Sequence, residues 1–246
     1  MSISINSKNR AAILIFFKEP IAGKVKTRLQ PQLSAEQSAE LAHLFLKETL
    51  LETKNALLTL ERLGITTDVL VFGDSTPNTD FHFSLLDFLY PFRTLLLQQV
   101  KGGLGERMSH AFHHAFELGY REAAIFGTDS PDLPLQTRVQ SILSLRKGEA
   151  EIAIGPTEDG GYYTLAMNRF HPSLFEGITY SSHSTFEETL AKAQSLKTTL
   201  TLLPMWYDID AFEDLLRLKI NVFSANAKSE NLRLIREWFL KRSDDL

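Results

Sequence analysis

Two kinds of hydrophobic run alternate along the chain. Short, nearly continuous apolar runs at 11–17, 66–72 and 123–127 read as strands buried on both faces, as in a parallel sheet. Between them lie longer segments with apolar residues at helical spacing. The first should run from about 35 to 63, with Leu41, Leu44 and Phe45 on its inner face and Gly64 as its stop. Ser34 followed by Gln37 fits a capping box at its start. Further strands are predicted at 93–98, 151–154, 162–166 and 199–203. Further helices are predicted at 106–118, up to about 146, and at 184–195, 211–218 and 229–241. This alternation implies a mainly parallel sheet with helices on both faces. The aromatic stretch 81–90 reads first as a short helix packed on the sheet and second as a contact in a homodimer. Residues 1–10 are polar and read as a frayed tail, and 11–246 most simply as one α/β domain.

The most informative loop follows the first strand. Residues 18–29 hold Gly23, Lys24, Lys26, Thr27 and Arg28 between a strand and a helix. In an open α/β sheet that position lies at the carboxyl end of a strand, where ligands bind. Clustered cations and loop amides favour an anion there, most plausibly phosphate, against the plainer reading of a solvated basic turn.

Composition narrows the chemistry. The net charge is −4, from 26 basic and 30 acidic residues, which argues against a nucleic-acid partner. There are no cysteines, so thiolate metal sites, disulfides and Cys nucleophiles are excluded. No apolar run approaches the ~20 residues needed to span a bilayer, and the first ten residues do not read as a signal peptide, so no membrane partner and a cytoplasmic location are expected. The seven histidines form no metal pattern; His110, His113 and His114 read as solvated or partly packed. His183, in a polar loop before a helix, could meet a substrate.

Three acidic clusters follow predicted strands. Asp129 ends the most apolar strand and would project from the sheet edge, where a hard divalent cation takes carboxylate and phosphate oxygens. Ser130 or Asp132 could cap the next helix, and for Asp132 capping and a functional role read equally. Asp208 and Asp210 have strand spacing, with N-capping by Asp210 as the plainer alternative. The segment from Asp159 through Gly160 and Gly161 to Tyr162 reads equally as a ligand-approaching turn or an ordinary hairpin.

These segments resemble, in order, the signatures of a bacterial family labelled radical-SAM/selenodomain-associated transferase 1. They are Lys18-x-Pro20-x-x-Gly23-Lys24-Val25-Lys26-Thr27-Arg28-Leu29, then 103–108, 127–134, 154–163 and 208–215. The resemblance implies a GT-A-like fold, the α/β/α sandwich of nucleotide-diphospho-sugar transferases with a mainly parallel mixed sheet, and distant similarity to phospholactate guanylyltransferase. It implies that the first loop holds nucleotide phosphates, that Asp129 binds magnesium (or manganese), and that Asp210 supplies a second ligand. Ala211-Phe212 stand where Thr-Pro is usual in that family.

The expected reaction is nucleotidyl transfer from a nucleoside triphosphate to a small acceptor. The alternatives are glycosyl transfer from a nucleotide sugar and a non-catalytic nucleotide-binding role. Lys26, Arg28 and Asp129 are the expected catalytic residues. Gly23, Lys24, Lys26, Thr27, Arg28, Gly103, Gly105 and Arg107 are expected at the nucleotide, and Asp159, Gly160, Gly161, Tyr162 and His183 at the acceptor.

Overall fold

The computed structural model describes residues 9–77, 79–224 and 232–242. Among these, seven strands form one sheet in the order β3-β2-β1-β4-β6-β5-β7. The strands are β1 (Ala11–Phe17), β2 (Thr67–Gly73), β3 (Thr94–Gln98), β4 (Glu122–Phe126), β5 (Ile152–Pro156), β6 (Tyr162–Met167) and β7 (Leu200–Leu202). β6 runs antiparallel to both neighbours; the other pairings are parallel.

Every residue of β1 is buried, because its two faces feed two different cores. Ile13, Ile15 and Phe17 pack under α1 (Ala35–Arg62), α2 (Asp80–Leu89) and α4 (Leu135–Arg146). Ala12, Leu14 and Phe16 pack on the opposite face, under α3 (Leu104–Glu117) and α5 (Thr185–Ser195). This double burial explains why β1, β2 and β4 lack polar alternation.

A third core lies off the sheet. Leu29, Leu33, Leu41 and Phe45 meet Tyr207, Ile209 and the inner faces of α6 (Phe212–Phe223) and α7 (Arg233–Leu240). α7 is fastened to α1 by the buried carboxylate of Glu48, which accepts the Leu234 amide at 2.7 Å and the Ile235 amide at 3.4 Å. This core carries the C-terminal part of the chain to the loop after β1.

The capping box at Ser34 is present, with both reciprocal bonds. The aromatic stretch is a helix, α2, whose Phe81, Leu85, Phe88 and Leu89 pack on the first core, while Phe83 and Tyr90 face outward. α6 continues beyond the expected end at 218, because Val222 extends the buried series of Leu215 and Leu218 by one turn. The expected tail falls mostly on residues 1–8, outside the described residues. Arg10 is not frayed: its guanidinium pairs with the fully buried Asp68, which also accepts the Tyr120 hydroxyl at 2.8 Å.

Candidate functional site

Strand order reverses direction at β1, with β2 and β3 on one side and β4 on the other. Loops leaving the carboxyl ends of β1 and β4 therefore part from each other and open a crevice. A cavity of about 670 Å³ lies there. Its walls come from the loop after β1, the loop after β4, the starts of α3, α4 and β6, and the segment before α6.

Lys26 is the centre of the site. Its side chain is only 8% exposed and its ammonium lies 2.5 Å from Asp129 Oδ1 and 3.4 Å from Asp210 Oδ1. It also donates to the Ile209 carbonyl at 2.7 Å and sits 5.7 Å from the Phe45 ring centroid. Burial works against its charge, but Asp129 and Asp210 outweigh it, and its pKa lies above the ordinary lysine value. The backbone at Lys26 is left-handed, with φ 46°, an uncommon conformation for a side-chain-bearing residue that concentrates at functional sites. Arg28 is largely exposed and reaches Asp210 at 3.5 Å. The loop is tied down by Lys18, whose ammonium donates to the Lys24 carbonyl at 2.7 Å, and by Asp74 at the end of β2, which accepts the Glu19 amide at 2.8 Å.

Asp129 is brought to Asp210 by a seam between two loops. The Ile209 amide donates to the Asp129 carbonyl at 2.9 Å, and the Ser130 hydroxyl donates to Asp208. Asp132 accepts from the Trp206 indole and Asn221 amide, each at 3.1 Å, and from the Tyr207 hydroxyl. So neither Ser130 nor Asp132 caps α4, whose N-cap is Pro134 without a side-chain bond. Asp210 does not cap α6 either. Asp214 accepts the amides of Asp210 and Ala211 at 3.1 and 2.8 Å, which leaves the Asp210 carboxylate free to face the basic loop. Asp208 lines the cavity too; burial and the neighbouring Asp129 charge push its pKa up to about 7.

Of the expected nucleotide residues, Lys24, Lys26, Thr27, Arg28 and Arg107 line the cavity. The three glycines lie outside its wall, each for a local reason. Gly23 supplies a turn with φ 77° and open space around it. Gly103 caps α3, its amide held by Glu106 at 2.8 Å. Gly105 packs against Tyr180, whose ring leaves no room for a side chain.

Of the expected acceptor residues, only Tyr162 lines the cavity. Asp159 closes its own turn, accepting Thr157 Oγ1 at 2.6 Å and the Gly161 amide at 3.0 Å. His183 Nδ1 donates to the Asp159 carbonyl at 2.6 Å. Gly160 has φ 91° and lies against the His183 backbone.

Gln99, just after β3, went unmarked in the sequence. Its amide nitrogen donates to the carbonyls of Phe17 and Phe72, each at 2.9 Å, locking the ends of β1 and β2 together. Its oxygen accepts Arg107 Nη1 at 2.7 Å and so aims that guanidinium along the cavity wall. The Gln98-Gln99 pair after the apolar run 95–97 was the available signal.

A seven-stranded sheet of this order, with a basic loop after β1 and acids after β4, has the GT-A-like fold of nucleotide-diphospho-sugar transferases. A protein from Desulfovibrio desulfuricans G20, assigned as a candidate nucleotide-diphospho-sugar transferase, superposes with TM-score 0.76 at 28% identity over 96% of each chain. The 4-diphosphocytidyl-2C-methyl-D-erythritol synthase from Anaerococcus prevotii DSM 20548 shares the fold, with TM-score 0.50 and 12% identity over 88% of this chain and 97% of that one. The chain belongs to the family described as "Uncharacterized protein conserved in bacteria (DUF2064)", whose model matches residues 60–182, half of its length. No curated protein matches it in sequence.

The donor set suits a hard divalent cation. Asp129 and Asp210 are about half exposed and converge on the Lys26 ammonium, which offsets one of their two charges. Among the described residues no three His, Cys, Asp or Glu side chains are grouped to hold a metal alone. Magnesium needs only one or two protein carboxylates when a substrate phosphate completes the shell.

Proposed function

We propose that the protein is a metal-dependent nucleotidyltransferase that moves a nucleotidyl group from a nucleoside triphosphate to a small acceptor. The observation that carries this reading is the convergence of Lys24, Lys26 and Arg28 with Asp129 and Asp210 around one cavity at the strand carboxyl ends. An acceptor oxygen bonds to the α-phosphorus as the bond from that phosphorus to the pyrophosphate oxygen breaks; an acceptor phosphate oxygen reacts as the anion, and an acceptor hydroxyl gives up its proton to solvent. Lys24, Lys26 and Arg28 meet the charge that grows on the departing pyrophosphate. Arg107, aimed by Gln99, lies across the cavity at the start of α3 and faces the nucleoside side. Asp129 and Asp210 would hold the magnesium, which when bound neutralises phosphate oxygens. Positioning supplies much of the rest of the rate. The reading places the reaction in the cytoplasm, where nucleoside triphosphates are abundant; among the described residues no helix is long and apolar enough to cross a membrane.

A second reading is glycosyl transfer from a nucleoside-diphosphate sugar. The likeness to the Desulfovibrio protein favours it, because that assignment names nucleotide-diphospho-sugar transfer. Thermal unfolding with magnesium, the four nucleoside triphosphates and common nucleotide sugars separates the readings, since a ligand of the native state raises apparent stability. Stabilisation by a triphosphate, with pyrophosphate released on turnover, is the expected result. Stabilisation by nucleotide sugars alone selects glycosyl transfer, and no stabilisation by any of them overturns both.

A further inference from the structure

Arg138 is a cation that the chemistry above does not use. It lies in the first turns of α4, is 1% exposed, and lines the buried wall of the cavity with Phe126, Leu133 and Tyr163. Its guanidinium stands 5.2 Å from the Phe126 ring centroid. Nη2 makes one long bond, 3.4 Å, to the Ser130 carbonyl, while Nε and Nη1 have no hydrogen-bond partner.

Glu52 and Asp132 attract it from a distance, but both are engaged elsewhere. Glu52 accepts from Asn55 at 3.2 Å, and Asp132 is held by Trp206, Tyr207 and Asn221. Burial draws the Arg138 pKa down to about 10, so the group is still charged at neutral pH. A buried charge with unmet donors is strongly unfavourable unless an anion meets it. The neighbouring side chains are apolar or aromatic, which suits a compact organic body bearing that anion. A carboxylate matches the flat guanidinium and loses less hydration than a phosphate dianion would.

We infer that Arg138 forms an anion subsite on the buried cavity wall that takes a carboxylate, which makes the acceptor a small organic acid. The word acceptor rests on the transferase reading; the carboxylate site does not.

Isothermal titration tests the subsite with lactate, glycerate, malate and phosphoglycerate, and with lactamide as the uncharged control. Wild type, Arg138→Met and Arg138→Lys are compared, each checked for cooperative unfolding and for magnesium–triphosphate affinity. At least one acid binds wild type while lactamide does not. Arg138→Met weakens that acid at least about tenfold, an effect expected from loss of a charge-assisted bond, and Arg138→Lys restores part of it. Should Arg138→Met fail to unfold cooperatively, the Arg138→Lys protein and the acid–amide contrast in wild type carry the test. Equal affinity of wild type and Arg138→Met for the acids, or no saturable acid binding by wild type, overturns the inference. Acid binding through Arg138 without any nucleotide binding would leave the subsite standing and remove the transferase reading; nucleotide binding without acid binding would do the reverse.

Discussion

Two polar, glycine-containing loops border the carboxyl edge of the sheet: residues 18–29 after β1, and 157–161 between β5 and β6. Their use of hydrogen bonds differs. In the first, Lys26 points away from its own loop and meets Asp129 and Asp210, which arrive from two other segments. In the second, Asp159 binds Thr157 and Gly161, and the turn is sealed by His183 and by the Phe186 amide, which donates to the Gly160 carbonyl at 2.8 Å. A turn that satisfies its own polar groups has few left for a ligand. The same residue types thus face a cavity in one loop and close a turn in the other, according to where their partners come from.

The sharpest way to break this contrast is at Asp129. Asp129→Asn keeps the shape and removes the charge, so turnover should fall at least about a hundredfold, the scale for losing one preorganised electrostatic group. Thermal unfolding should come at a lower temperature as well, because the buried Lys26 ammonium loses its nearest counter-ion and keeps only Asp210. Activity within a few fold of wild type would remove Asp129 from the site.

Lys26→Met comes next. Nucleotide affinity should drop about tenfold or more, the scale of one lost charge-assisted contact to phosphate. Manganese binding without nucleotide should strengthen, since Asp129 and Asp210 lose their internal counter-ion. Unchanged values for both would mean that Lys26 only bridges the two loops.

In the other loop the expected damage is to stability. Gly160→Ala puts a Cβ 2.1 Å from the His183 carbonyl oxygen at a backbone φ of 91°. It should destabilise the fold by about 2 kcal/mol, read by chemical denaturation. A wild-type denaturation midpoint would show that the turn is less tightly docked than its geometry implies.

The smallest effect is expected at His183. His183→Ala removes one exposed bond to the Asp159 carbonyl, so kcat/KM should stay within about threefold of wild type. A loss of a hundredfold would return His183 to the acceptor site and undo the contrast between the loops.

Much of the scaffold was legible in sequence. β1 was bounded correctly because a doubly buried strand is a continuous apolar run, and α1 because Ser34 and Gln37 form its cap. The boundaries of β2, β4 and α3 moved by one or two residues, as ends do when caps and ladders compete. Asp132 was readable as a cap but serves as an anchor, since its three donors come from residues more than 70 positions away.

The order of strands and helices, the basic loop and the acids after the strands were written in the sequence, because hydrophobic period and turn chemistry are properties of neighbouring residues. Tertiary structure alone decided that Asp210, 184 residues from Lys26, lies beside it, that Gln99 aims Arg107, and that Arg138 is buried with two nitrogens unmet. The first of these depends on the third core, which folds the C-terminal helices back over Leu29, Leu41 and Phe45; the other two depend on how α3 and α4 pack on the sheet. Packing of that kind joins residues distant in the chain, and no local pattern encodes which of their polar atoms will find partners.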